Sequence, residues 1–410
     1  MGGFIMGVLK LGMFETLALA VLAIYFGDYI RSKMPILKKY CLPGAVVGGT
    51  LFSCISLALY YAGIAELRFD YKTVNTLFYC IFFAASGAAA SLSLLKTGGK
   101  LVVIFAILAA VLAFLQNVLS VGLGVAMGMN PLIALMTGSI PMTGGHGNAA
   151  AFAPLAVSAG APAALEVALA SATFGLISGC IVGGPFGNFV IKRFHLEDPA
   201  LDGQEEAAKE TGKAVGTLVS KANVVSAVFM MMLALGMGQV FFLILKKFGI
   251  NFPIHVCAML AGILIRLYLD SKKNTSEAVY AAIDTVGEFS LALFVSMSII
   301  SMQLWQLAGL AGPLVILLMA QVVFILIFCY FLTFKLLGKN YDAAVMAVGH
   351  IGFGLGAVPV SMTTMSTVCA KYRYSRLAFF VVPVIGGFLS NITNAIIISG
   401  FINYCAAMIK

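Results

Sequence analysis

The chain is predicted to be an all-α integral membrane protein, with ten transmembrane helices in two inverted five-helix repeats, each carrying a re-entrant glycine-rich loop. Three observations carry that prediction. The 410 residues are 61% hydrophobic and only 10% charged, too few charges to clothe a soluble core of this length, so lipid is the expected solvent. Apolar stretches of roughly 20 residues, the length that crosses the hydrocarbon, recur along the whole chain. Identities between the two halves share an offset of about 211 residues, the mark of an internal repeat.

The spans are read at 13–30, 43–61, 74–95, 101–127, 163–190, 223–245, 254–269, 278–305, 310–334 and 377–409. The first follows Lys10 and contains Ala18 and Ala20, as a cleaved signal peptide would. Its apolar run continues to Ile30 and ends on basic residues, which favours a retained span. Orientation follows from Lys and Arg. Arg31, Lys33, Lys38, Lys39, Lys96, Lys100, Lys192, Arg193, Lys209, Lys213, Lys221, Lys272, Lys273, Lys335, Lys339, Lys371, Arg373 and Arg376 all fall on one side of a ten-span chain. The other side holds Lys10, Arg68, Lys72, Lys246, Lys247 and Lys410. The basic side is expected to be cytoplasmic, with both termini outside. The net charge of +9 reflects that bias and a lipid-facing basic rim, with no nucleic-acid partner.

Lys192 to Lys213 is the long polar segment, mixed in sign and poor in apolar residues. It reads as a solvated linker. The domains expected are therefore 1–191, the linker 192–221, and 222–410. The eight cysteines form no CxxC pair; Cys54, Cys80, Cys180, Cys257 and Cys329 lie within spans and read as small packing residues.

At the common offset Phe83 matches Phe294, Gly98 matches Gly309, Gly138 and Ile140 match Gly349 and Ile351, Gly145 matches Gly356, and Gly175 matches Gly386. Pro43 matches Pro253 one residue out of register. Five spans per repeat is an odd number, so the second repeat enters the membrane inverted, an architecture of secondary transporters.

Two segments interrupt the apolar pattern: Asn130 to Phe152 and Asn340 to Met365. Each lies between the fourth and fifth spans of its half. The first is expected to enter from outside and the second from the cytoplasm. Backbone outside a helix survives at membrane depth only where protein or a water-filled cavity covers it. Glycine permits the unusual dihedrals, and Pro141 and Pro359 are read as ending the helical pattern. Exposed carbonyls suit a hard cation such as Na⁺; exposed N–H groups and helix N-termini suit a carboxylate. Tight helix packing is the plainer reading of such glycines. It fits Gly122, Gly124 and Gly128 better than GGHG or GHIGFGLG.

Gly138 to Gly147 (GSI..TGGHG), Glu166 to Leu176 (EVA.A.ATFGL), Gly183 to Pro185 and Gly338 to Pro359 (GKNYDAAV.A.GH.GFGLGA.P) resemble the bacterial glutamate:sodium symporter family. Val381 to Pro383 and Asn394–Ala395 fit as well. The resemblance covers nearly the whole chain, and the GKNYDAAV block is its most specific part. It implies an elevator-like secondary transporter, assembly as a homodimer, and Na⁺-driven uptake of L-glutamate across the bacterial inner membrane. One departure is Asn391, where the family pattern has an acid; this bears on ion stoichiometry and substrate preference.

The candidate substrate contacts are Ser139, Thr143, Gly144, Gly145, His146, Gly147 and Asn148 in the first segment. In the second they are His350, Gly352, Gly354, Gly356, Ser361, Thr363 and Thr364. Asn391, Asn394 and Asp342 are the candidate Na⁺ ligands. Intramembrane charges are functional candidates by default, yet plainer roles exist. Asp342 reads equally as a helix cap, and Glu166 as a first-turn acid. Asp284 and Glu288, four apart on one helix face, are read as facing solvent at the cytoplasmic end. Arg266 is read as snorkelling. Either histidine suits a substrate carboxylate or a proton-coupled step; satisfying freed backbone is the plainer role. No Ser-His-Asp set, HExxH or P-loop occurs, so transport is expected to be gradient-driven without an organic cofactor. The alternatives are a Na⁺- or H⁺-coupled hydroxycarboxylate or dicarboxylate symporter and a membrane enzyme using His146 and Asp342 as its acid–base pair.

Overall fold

A computed structural model describes residues 7–39, 42–89, 99–196, 220–248, 253–272, 277–307 and 309–409. Most of the expected linker, Gly98, the end of the span expected over 74–95, and Lys96, Lys209, Lys213, Lys273 and Lys410 lie outside the described residues. Among those described, nine helices are long and apolar enough to cross a membrane. The chain is a multi-pass helical membrane protein.

The nine are α1 (Met13–Lys33), α2 (Gly44–Tyr61), α4 (Gly99–Ala126), α8 (Ala164–Arg193), α9 (Lys221–Lys247), α10 (Ile254–Ser271), α11 (Glu277–Ile300), α12 (Ala311–Leu336) and α15 (Arg376–Ile409). Where a tenth span was expected at 74–95, the described helix is α3, Lys72–Ala88, of 17 residues. Five shorter helices belong to the two interrupted segments: α5 (Pro131–Leu135), α6 (Ser139–Met142), α7 (Gly145–Ser158), α13 (Tyr341–Leu355) and α14 (Val358–Lys371); a separate short helix spans Pro35–Lys39.

One feature departs from an all-helical reading. Gly7–Leu11 (β1) and Ala65–Phe69 (β2) pair as two parallel strands, with Lys10 opposite Arg68. AELRF alternates apolar and polar residues, the period of a half-buried strand, and Leu67 is buried. Too short to register beside the spans, this alternation was missed.

The helices form two groups. α1, α2, α3, α9, α10 and α11 pack on one another, while α4, α8, α12 and α15 surround the five short helices. The core of α3, α9, α10 and α11 forms its own cluster around Cys80, Ala84, Met231, Ala261 and Ile283. Helices surrounded by lipid associate through close packing, which small residues permit. A methyl group at Gly27 of α1 would stand 2.6 Å from Gly48 N of α2. One at Gly238 of α9 would stand 2.8 Å from Ala258 N of α10. Gly27 and Gly238 are 211 residues apart, so the first helix pair of each half closes at the same place. Pro43 and Pro253 likewise hold the extended residue before α2 and α10, with φ/ψ of −66°/151° and −62°/145°.

The two glycine-rich segments are far more helical than their composition predicts. GGHGNAAAF is helical from Gly145 onward, and GHIGFGL is the second half of α13. Within these segments the chain leaves the helix at Met136–Gly138, at Thr143–Gly144 and at Gly356–Ala357. Pro141 lies inside α6, and Pro359 opens α14 rather than ending a helix. Proline is at home in a first helical turn, where its missing N–H would have no intrahelical acceptor.

Candidate functional site

A cavity of about 670 Å³ lies between the two helix groups. One wall belongs to α2, α3 and α11: Pro43, Ala45, Phe82, Ser86, Asp284 and Glu288. The other is built from the breaks in the short helices. α7 (14 residues) begins there with Gly145, His146 and Gly147, and α14 (14 residues) begins there with Val358 and Pro359. Two helix N-termini therefore open on one cavity. The first amides of a helix have no intrahelical acceptor and carry the positive end of its dipole. α7 presents the amides of Gly145, His146 and Gly147; α14 presents that of Val358, because Pro359 has no N–H and Val360 N donates to Ala357 O at 3.0 Å. Together they make an anion-binding face.

Gly145 and Gly356 meet at this point. Gly145 has φ +59°, and a methyl group on it would stand 2.8 Å from Gly356 O. A side chain is unfavourable there on both conformational and steric grounds.

The breaks are held from behind by adjacent residues of α4. Asn117 Oδ1 accepts from Ser139 N at 2.8 Å. Gln116 Nε2 donates to Gly354 O at 2.8 Å, and Gln116 Oε1 accepts from Thr143 Oγ1 at 2.7 Å. Gln321 of α12 donates to Gln116 O and Ser120 Oγ, each at 2.8 Å. Ser139 Oγ donates to Asn394 Oδ1 at 2.6 Å, and Asn394 Nδ2 returns a bond to Ser139 O at 3.1 Å. All these side chains except Thr143 are at most 1% exposed. Leaving one such buried group unpaired costs about 1–3 kcal/mol, so this network fixes where the breaks fall.

The structure places Thr143, Gly144, Gly145, His146, Gly147, Asn148, Gly356 and Asn391 on the cavity. Asn148 Nδ2 is buried there without a hydrogen-bond partner among the described residues. His146 Nε2 lies 2.9 Å from Thr173 Oγ1, whose own proton goes to Leu169 O at 3.0 Å. Nε2 is therefore the donor, which leaves Nδ1 as the acceptor of a neutral ring.

The other expected site residues lie elsewhere. Ser139 and Asn394 belong to the buried network. His350 is fully buried, 2.9 Å from Thr333 Oγ1 through Nδ1 and packed among Phe105, Phe328 and Phe353. Gly352 and Gly354 are close-packing positions: methyl groups there would press on Ser361 and on Ile325 and Leu112. Ser361 Oγ donates to Gly349 O at 2.7 Å, joining α14 to α13. Thr363 and Thr364 bond back to Pro359 O and Val360 O, each at 2.9 Å, the usual satisfaction of a helical hydroxyl.

The three expected Na⁺ ligands are not brought together. Asn391 lines the cavity, Asn394 lies in the network, and Asp342 accepts from Ser375 Oγ at 2.7 Å in the first turn of α13. Asp342 is roughly 20 Å along α13 from its broken end at 1.5 Å per residue.

Sequence reasoning missed the opposite wall. Asp284 and Glu288 line the cavity from α11; the signal was present in their spacing, but not the direction of that helix face. Asn391 Nδ2 spans the same seam, donating to Gly387 O at 2.8 Å and Ser86 Oγ of α3 at 3.3 Å.

Residues 9–374 match the sodium/glutamate symporter family. The chain is 34% identical over 384 residues to the sodium/glutamate symporter of Escherichia coli (strain K12), covering 93% of this chain and 95% of that one. It is 34% identical over 387 residues to the sodium/glutamate symporter of Haemophilus influenzae, with the same coverage. With a cavity that joins two helix N-termini to an acidic wall and a match over most of its length, the chain belongs to the sodium/glutamate symporter family.

Proposed function

We propose that the chain is a Na⁺-coupled symporter of L-glutamate and that the 670 Å³ cavity is its substrate site. The observation that carries this reading is the meeting of the N-termini of α7 and α14 opposite Asp284 and Glu288. The helix ends receive the two carboxylates of the substrate, assisted by Asn148 Nδ2. The α11 acids attract its ammonium group and the entering Na⁺. A hydroxycarboxylate has no group for those acids, so an amino acid is favoured over it. An enzyme reading loses its acid–base pair, because His146 lines the cavity while Asp342 lies a helix length away.

Na⁺ is taken by oxygens near the break. Asn391, with its amide nitrogen already committed, presents Oδ1 as a neutral ligand where the family pattern has an acid. Na⁺ and glutamate would then favour one another's binding by reciprocal linkage.

The contact of Gly145 with Gly356 supports two inverted repeats. Residues equivalent under a two-fold operation meet only near its axis, and these two are 211 residues apart. On this reading the short helices form two re-entrant hairpins. The group holding them moves as an elevator against α1, α2, α3, α9, α10 and α11. The central linker faces the cytoplasm of a bacterial inner membrane, both termini lie outside, and the chain works as a lipid-embedded homodimer.

Labelled glutamate should accumulate in proteoliposomes under an inward Na⁺ gradient and fail to do so under K⁺ or H⁺ gradients. Glu288→Gln should raise the half-saturating glutamate concentration by about tenfold, the scale of a lost charge-assisted hydrogen bond. Absence of Na⁺-dependent uptake of any amino acid would reject the proposal.

A further inference from the structure

A second cavity, of about 370 Å³, shares no lining residue with the first. It lies between β2 and the turn after it, the junction of α7 with α8, and the segment following α11. Its wall carries one acid and one base. Glu166, in the first turn of α8, is 3% exposed. Its Oε1 accepts from Gln303 N at 2.9 Å. Its Oε2 is buried and has no hydrogen-bond partner among the described residues. The N-terminus of α8 favours negative charge in that turn, but a carboxylate oxygen withdrawn from water still requires a donor.

Tyr71 and Ser301 line the cavity with Glu166. Arg68 lines the same cavity from β2 with a side chain 56% exposed. Its Nε donates to Glu66 Oε1 at 2.8 Å, and the guanidinium carries further donors on its two terminal nitrogens. Leu67, Phe69, Val157, Pro162 and Leu165 supply apolar wall.

The geometry points to a second binding site, for a zwitterionic α-amino acid, whose ammonium group supplies the donor missing at Glu166 Oε2 and whose carboxylate pairs with Arg68. A bare metal cation would leave most of the cavity empty and meet a guanidinium. A dicarboxylate without an ammonium group would leave Glu166 unanswered. The site spans the seam between the two helix groups, since α7 and α8 belong to one and Tyr71 and Ser301 to the other. It rests on this cavity alone and not on the reading of the first.

Val157, 40% exposed on the cavity rim, offers a reporter. In purified full-length Val157→Cys protein, with Cys41, Cys54 and Cys180 changed to Ala, the rate of maleimide labelling is measured. Millimolar L-glutamate or L-alanine should slow labelling severalfold, whereas glutarate and ethylamine should not. Glu166→Gln, which keeps a carbonyl for Gln303 N, should abolish the protection. So should Arg68→Gln, a surface change that leaves the fold intact. Protection should persist in monodisperse Gly145→Val or Gly356→Val protein, in which the breaks that build the first cavity are displaced. Absence of protection, equal protection by glutarate, protection surviving Glu166→Gln or Arg68→Gln, or its loss in both glycine variants would overturn the proposal.

Discussion

The first interrupted segment, Met136 to Phe152, and the second, Gly349 to Thr364, solve one problem in different ways. The first breaks twice within nine residues, at Met136–Gly138 and Thr143–Gly144. Its displaced groups are taken by side chains: Ser139 N by Asn117, and Thr143 Oγ1 by Gln116. The second breaks once, at Gly356–Ala357, and runs as regular helix on both sides. It needs one outside partner, Gln116 Nε2 on Gly354 O, while Ser361 closes its two arms internally. One segment thus sends polar side chains toward the cavity; the other contributes mainly backbone. The two segments diverge in side chains while a shared glycine contact, Gly145 on Gly356, keeps their breaks together.

The largest test of that comparison is at the shared contact. Gly145→Val should lower Na⁺-driven glutamate uptake by about a hundredfold, the order a 1 Å misplacement costs an oriented site. Gly356→Val, whose side chain would meet Leu176 at 2.8 Å, should do the same. Gel filtration in detergent should still give a monodisperse peak for both. A large loss in only one of them would mean that the two segments do not act as a pair.

A smaller effect separates the ties on α4. Gln116→Leu leaves Gly354 O and Thr143 without partners and should destabilise by about 2–4 kcal/mol. Asn117→Leu frees only Ser139 N and also removes an amide nitrogen that has no partner among the described residues. Its cost should be about 1 kcal/mol. Thermal melting of the purified protein ranks them; the reverse order would place the hub on Asn117.

The smallest contrast lies in the hydroxyls. Thr143→Val should reduce uptake about fivefold, the equivalent of roughly 1 kcal/mol for one hydrogen bond. Thr364→Val should leave uptake within about twofold, because its hydroxyl is satisfied inside α14 and a self-bonded helical hydroxyl adds little. Initial rates in proteoliposomes decide, and a larger effect at Thr364 would bring the second segment's side chains into the substrate path.

Much of the scaffold was legible in the chain itself. The span read at 43–61 is α2, Gly44–Tyr61, and the one read at 254–269 is α10, Ile254–Ser271, because apolar length and a flanking proline mark a helix start locally. The two unusual segments were legible as interruptions, but not as helices. Glycine lowers helix propensity in isolation, yet in a tightly packed protein it is the residue that lets neighbours close, as Gly175 does against Leu355 and Gly352 against Ser361.

Side-chain direction was the harder matter. Asp284 and Glu288 share a helix face by spacing alone, but which way that face turns depends on what α11 packs against. His146 and His350 look equivalent in sequence, each beside glycines. One lines the cavity and the other is sealed by three phenylalanines. Gln116, Asn117 and Gln321 attracted no notice in apolar helices, since one amide in a span reads as a helix-to-helix bond whatever it holds.

By itself the sequence determined the solvent, the helical class and the family, because composition, apolar length and motif are properties of contiguous residues. Tertiary structure alone decided that two helix N-termini share a cavity, that α11 turns its acids toward them, and that adjacent residues of α4 tie both breaks. Those facts depend on contacts between residues as far apart as Gln116 and Gly354, and no local pattern in the chain encodes which distant groups will meet.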